Sequence, residues 1–151
     1  MKIAVVTGAS SGMGREFVRQ ISSFYRSLDE IWVIARRRER LEELRVASRI
    51  PLSIFDGNLI KKQVYRELSC ALEERQPDIR MLVNAAGFGK SGSVEAIASV
   101  DFRAQTDMVD LNCRALTRMT LFCLPYVGGG SRIINLASAA AFWPQPGFAV
   151  Y

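Results

Sequence analysis

The sequence predicts an α/β fold, a doubly wound parallel sheet forming one domain over residues 1–151. Three observations carry that prediction. Five short runs are almost continuously apolar, segments of helical period separate them, and a glycine cluster follows the first run directly. An unbroken apolar run suits a strand covered on both faces, as the strands of a parallel sheet are.

The first run, "IAVVTG" (3–8), reads as a strand closed by glycine. From Gly14 to about Arg26, Phe17, Val18, Ile21, Phe24 and Tyr25 recur at helical spacing. "IWVIA" (31–35) is the second strand, and "RRERLEELRVAS" (37–48) the next helix, with Leu41, Leu44 and Val46 as its apolar positions. After Pro51, "LSIF" (52–55) reads as a third strand. The helix over 60–74 turns Val64, Leu68, Ala71 and Leu72 inward. "IRMLVN" (79–84) is the fourth strand. A long helix over 101–126 carries Met108, Leu111, Ala115, Met119 and Phe122, and "RIINLA" (132–137) is the fifth strand. Strands joined by helical crossovers arrange as a parallel sheet with helices on both faces.

Composition narrows the function. With 49% hydrophobic and 23% charged residues, the chain can bury a core. The charge of +5, from 20 Lys and Arg against 15 Asp and Glu, is densest in "ARRRER" (35–40). That run lacks the interleaved aromatics or recognisable module that nucleic-acid binding requires. There is no histidine, and Cys70, Cys113 and Cys123 form no metal-spaced pair, so zinc sites and histidine-based triads are excluded. The cysteine usage predicts reduced thiols in the cytoplasm, and no run suits a signal peptide or a membrane span.

The first turn, "TGASSGMG" (7–14), lies between a strand and an amphipathic helix. Gly8 suits a sharp turn, and Gly12 and Gly14 allow a ligand or a strand to approach the backbone. Helix N-terminal amides and the positive end of the helix dipole favour an anion there, so the turn predicts a pyrophosphate site in a Rossmann-like fold. Ser10, Ser11 and Met13 belong to the same loop. "GFGKSG" (87–92) also fits a glycine-rich pattern, but "SVEAIASVDF" opens no helix directly after it, which argues against a second phosphate loop.

The end of the second strand distinguishes dinucleotides. An acid about 20 residues past the loop accepts from ribose hydroxyls and favours NAD. Here stand Arg36, Arg37 and Arg38, with no acid before Glu39. A guanidinium clamps a 2′-phosphate with charge-assisted bonds, so NADP is expected rather than NAD. Arg36 is the first contact and Arg37 the second, while Arg38 and Arg40 are read as helix-surface charges. Asp56 stands where it would accept from the adenine amino group, or else cap a turn.

Taken in order, "TGASSGMG", "ARRRERLEEL", Asp56, "VNAAG" (83–87), the asparagine of "VDLNCRALT" (109–117) and "INLASAAA" (134–141) resemble the short-chain dehydrogenase/reductases over the whole chain. The resemblance implies strand order 3-2-1-4-5, without the later strands of the full fold. It implies that Gly8, Gly12 and Gly14 line a pyrophosphate, and that Asn84, Ala85, Ala86 and Gly87 stabilise the fourth strand beside the adenosine ribose. Asn112 would kink the long helix and hold a water of a proton relay.

The family's catalytic serine, and the tyrosine some thirteen residues on, match Ser138 and Tyr151. Its lysine, four beyond the tyrosine, has no position here. A free phenol ionises near pH 10 (about), and a nearby ammonium makes the phenolate easier to form. The expectation is an NADP-dependent oxidoreductase acting on a carbonyl or alcohol, present as a truncated and inactive fragment whose fifth strand is an unprotected sheet edge. The full-length form would be a homo-oligomer, a dimer or tetramer. Phe142, Trp143 and Phe148 either face an apolar substrate or pack within the loop, with Pro144, Pro146 and Gly147 setting the turn. The rival readings are an NADP-binding regulatory module without turnover, and a binder of acidic partners through "ARRRER".

Overall fold

A computed structural model describes residues 1–92, 102–143, 145, 147, 148, 150 and 151. The strands are β1 (Lys2–Thr7), β2 (Glu30–Ala35), β3 (Leu52–Asp56), β4 (Asp78–Asn84) and β5 (Arg132–Asn135), in one parallel sheet of order β3-β2-β1-β4-β5. The helices are α1 (Gly12–Phe24), α2 (Arg38–Ala47), α3 (Gln63–Arg75), α4 (Phe102–Val109) and α5 (Leu116–Cys123). The last two are joined by a π-helical segment, Asp110–Ala115, and α5 runs on into a 3-10 turn, Leu124–Tyr126. The predicted start of the long helix at Asp101, most of "SVEAIASVDF", Pro144 and Pro146 lie outside the described residues.

The apolar runs are unbroken because their alternate residues serve two cores. Ile3, Val5, Trp32 and Ile34 pack with α3 residues Val64, Leu68 and Leu72, and with Ala115, Met119 and Cys123 of the long helix. Ala4, Val6, Ile31 and Val33 face the other way, onto Val18 and Ile21 of α1 and Leu41 and Leu44 of α2. The side chains of residues 3–6 in β1 and 31–34 in β2 are thus removed from water on one face or the other, which is the main driving force for this architecture.

Several predicted positions differ. Val46 is 89% exposed and Phe24 77% exposed, so neither reaches the core. Val46 lies on the open side of α2, and Phe24 is the last residue of α1, where the buried stripe has already ended at Ser22. β5 closes at Asn135, two residues short of the expected end, and as the sheet edge leaves Ile133 39% exposed. Tyr65 was passed over, yet it is buried and its hydroxyl donates to the Leu59 carbonyl at 3.0 Å.

A hydroxyl clasp joins the carboxyl ends of β1 and β4. Thr7 Oγ1 accepts from the amides of Ala85 and Ala86, both at 3.1 Å, and is itself 1% exposed within its residue. Asn84 Nδ2 donates to Thr120 Oγ1 at 3.0 Å and to Asn135 Oδ1 at 2.9 Å, tying β4 to α5 and β5. The carboxyl edge of the sheet, where ligands of open α/β folds bind, is held by these bonds.

Replacing Thr7 with Val keeps the side-chain shape and removes the shared acceptor. Urea unfolding of Thr7→Val is expected to show a loss of about 1–3 kcal/mol, because two amides lose their partner. Thiol accessibility gives a second check. Burial pushes the Cys123 thiol up to about 12, while Cys70 and Cys113 are exposed. At pH 8 iodoacetamide should modify Cys70 and Cys113 in the native protein and Cys123 only after unfolding. Burial also raises the Tyr65 phenol from 10.0 to about 12. Both groups fold in their neutral form, so their contribution to stability is full below their unfolded pKa values and is lost as pH rises towards about 12.

Candidate active site and nucleotide cleft

The glycine loop is built by close backbone contacts. Gly8 has φ +68, and a Cβ on it would stand 2.7 Å from the Ala85 carbonyl oxygen. A Cβ on Gly14 would collide with the Gly8 carbonyl. These two glycines therefore serve the packing of β1, α1 and the β4 end on one another. Gly12 is different: at φ +53 it would meet nothing within 4 Å, so its missing side chain leaves open space above the start of α1. The Gly8 amide donates to the Ile34 carbonyl at 2.9 Å, which fixes the loop against β2.

A cavity of about 280 Å³ lies over this loop, with Ser10, Ser11, Gly12 and Met13 on one side, Arg36 and Arg37 on another and Ala85, Ala86 and Gly87 on a third. Arg37 Nη2 donates to Ser11 Oγ at 2.8 Å and to Ser10 Oγ at 3.2 Å, so its guanidinium lies across the loop. The Arg36 side chain has no hydrogen-bond or ion-pair partner among the described residues. Asp56 lies at the end of β3, and its carboxylate is engaged by Arg38 Nη1 at 2.5 Å. Asn58 and Leu59, which the sequence reading did not single out, line the cavity beyond it.

A second cavity, of about 340 Å³, contains Ser138 and Tyr151 together with Asn112. Its lining is otherwise apolar, including Met108, Leu116 and Leu136. The Ser138 hydroxyl oxygen accepts from the Ala140 amide at 3.2 Å, which leaves its own proton available to a substrate oxygen. The ring of Tyr151 packs on Phe148 with centroids 5.5 Å apart and over Gly89, where a Cβ would stand 3.2 Å from Cε2. The stretch that mimics a phosphate loop is thus the floor under the tyrosine, and Gly89 is there because the ring comes so close. Phe142 and Trp143, candidates for the substrate side, are 92% and 78% exposed and do not line the cavity. Of the three aromatics, Phe148 alone stands beside a site residue.

Asn112 sits in the π segment, a distortion that recurs at functional sites. Both atoms of its amide bond to one residue: Nδ2 donates to the Phe88 carbonyl at 2.8 Å, and Oδ1 accepts the Phe88 amide at 3.0 Å. Asn112 thereby holds the strand of chain after Gly87 against the long helix, and the would-be Cβ of Gly87 lies 3.0 Å from the same Oδ1. Asn84 is buried at 3% exposure and supports the β4 end from beneath. The two cavities share Met13, Ala85, Ala86 and Gly87, so they form one cleft along the carboxyl edge of the sheet.

Among the described residues, no helix is long and apolar enough to cross a membrane, and no group of three metal-ligating side chains exists. Comparison with known proteins gives the family. The family described as short chain dehydrogenase matches residues 2–151. Sulfoacetaldehyde reductase 2 of Chromohalobacter salexigens is 32% identical over 99% of this chain, and the match covers 59% of that protein. The NADP-dependent 3-hydroxy acid dehydrogenase of Escherichia coli is 31% identical, again over 99% of this chain and 59% of the relative. Among solved structures, the closed form of serine dehydrogenase complexed with NADP⁺ superposes with a TM-score of 0.79 at 27% identity, covering 99% of this chain and 59% of that one. The Sphingobium yanoikuyae short-chain dehydrogenase in complex with NADPH has a TM-score of 0.80 at 24% identity, over 100% and 59%, and so speaks to the fold. The chain spans about three fifths of the length of these relatives. It belongs to the short-chain dehydrogenase family.

Proposed function

We propose that the protein transfers a hydride between NADP(H) and a carbonyl or alcohol substrate, with the nucleotide in the glycine-loop cavity and the substrate beside Ser138 and Tyr151. The observation that carries this reading is the continuity of the cleft: Met13 and Ala85 to Gly87 border both cavities. A dinucleotide laid along it would have its phosphates at the loop and its reactive ring at the serine and tyrosine.

The residues present fit the nucleotide. Gly12 leaves open space above the first turn of α1, where backbone amides and the helix dipole favour a pyrophosphate. Arg36 borders the same cavity with its guanidinium uncommitted among the described residues, as a 2′-phosphate clamp requires. Arg37, already lying on Ser10 and Ser11, adds positive charge to the loop. Bound NADPH would supply the hydride to the carbonyl carbon.

The protein's part is orientation and proton management. Ser138, whose oxygen is held by the Ala140 amide, donates its hydroxyl proton in a hydrogen bond to the substrate oxygen. Tyr151 gives that oxygen a proton as negative charge develops on it, and takes the proton back in the oxidation direction. Asn112 keeps the Phe88 segment in place, and Phe148 and Gly89 fix the height of the Tyr151 ring. NADP-dependence in the Escherichia coli relative supports the choice of nucleotide.

Fluorescence titration tests the nucleotide assignment. NADPH should bind more tightly than NADH, and Arg36→Glu should weaken NADPH by about tenfold or more while leaving NADH little changed. The estimate follows from about 1.5–3 kcal/mol for a charge-assisted bond and about 1.4 kcal/mol per decade of affinity. Equal affinity for both nucleotides in the parent protein would overturn the 2′-phosphate assignment.

A further inference from the structure

We propose that the opposite edge of the sheet, at the amino ends of the strands, carries a second anion site that takes a small phosphoryl compound, a phosphate monoester or a pyrophosphate. A cavity of about 240 Å³ opens there, bordered by Lys2 of β1, Arg80 of β4 and Arg132 of β5, and also by Tyr25 and Ser27. The site lies at the far end of β1 and β4 from the glycine loop, because both strands run from this edge to the nucleotide cleft.

A distortion of the backbone places its central cation. β1 and β4 pair as Ile3 with Ile79 and then Ala4 with Met81, so Arg80 is an extra residue in β4, a β-bulge. Bulges re-aim a side chain and are rare between parallel strands. Arg80 is then held in place: Nη1 donates to the Gly129 carbonyl at 3.2 Å, and Nη2 lies 3.4 Å from where a Cβ of Gly130 would be. Gly130 has φ +77, which brings the 128–131 turn round the guanidinium.

Charge balance favours an anion. Lys2 and Arg132 have no side-chain partner among the described residues. Two carboxylates stand near these three cations: Asp78 Oδ2 is 3.5 Å from Arg80 Nη1, and Asp29 Oδ2 accepts the Lys2 backbone amide at 2.6 Å. Neither borders the cavity. Arg26 and Arg49 border an adjoining cavity that shares Leu28 with this one and extend the positive field. Lys2, Arg80 and Arg132 bordering one opening match the several strong acceptor oxygens and multiple charge of a phosphoryl group.

The test is an amide NMR titration of the ¹⁵N-labelled protein with inorganic pyrophosphate and, separately, with glycerol phosphate, at constant ionic strength. Saturable shifts are expected at Ser27, Leu28, Gly130 and Ser131, and shifts at Gly12 to Gly14 report the glycine loop separately. The double variant Lys2→Gln with Arg132→Gln removes two exposed side chains and keeps every Arg80 bond, so it should fold and weaken the binding by about tenfold or more. If only one of the two probes saturates, that probe identifies the phosphoryl class. The proposal is overturned if neither saturates, if sodium chloride reproduces the same shifts, or if the double variant binds as the parent does.

Discussion

Backbone lies directly on backbone where β1, α1 and β4 meet, and the rest of the cleft depends on that approach. Gly8 presses on the Ala85–Ala86 peptide and Gly14 on the Gly8 carbonyl, at separations no side chain tolerates. Thr7 sits between them as the hydroxyl that satisfies both alanine amides. With these contacts made, the start of α1 borders the open space beside Gly12, and the β4 end forms the common wall of both cavities. The electrostatics at the loop follow from this packing, since the helix dipole acts only near its first turn.

The cavity of Ser138 and Tyr151 is tied to the same wall. Asn112, in the π segment, spends both amide groups on Phe88, and Phe88 follows directly on Gly87 of the shared wall. Gly89 then passes under Tyr151. A displacement at the β4 end would therefore move the floor under Tyr151 and the common wall of the two cavities together.

Much of this was legible in the sequence. The unbroken apolar runs marked the strands, because β1 and β2 serve a core on each face, while β5, at the sheet edge, is shorter than its run. The glycine spacing located the loop, and the absence of an acid before Glu39 pointed to Arg36. Other features left no such mark. Thr7 reads as an ordinary strand residue, and its role appears only when β4 is brought beside it, 78 and 79 positions away. The bulge at Arg80 is equally silent, since pairing register is a property of two strands. Val46 and Phe24 fit a helical period but lie beyond the buried stripe of their helices. The aromatics after Ser138 resembled a pocket wall by composition, yet Phe142 and Trp143 turn outward.

The central claim is that the loop's amides and the arginines after β2 hold one nucleotide. The most direct measurement is a residue-resolved NMR map of the amides perturbed by NADPH. The account predicts the largest, saturable changes at Gly12, Met13, Gly14, Arg36 and Arg37, with smaller ones at Ala86 and Gly87. Saturable binding that left those amides unmoved, or no binding at millimolar nucleotide, would contradict it.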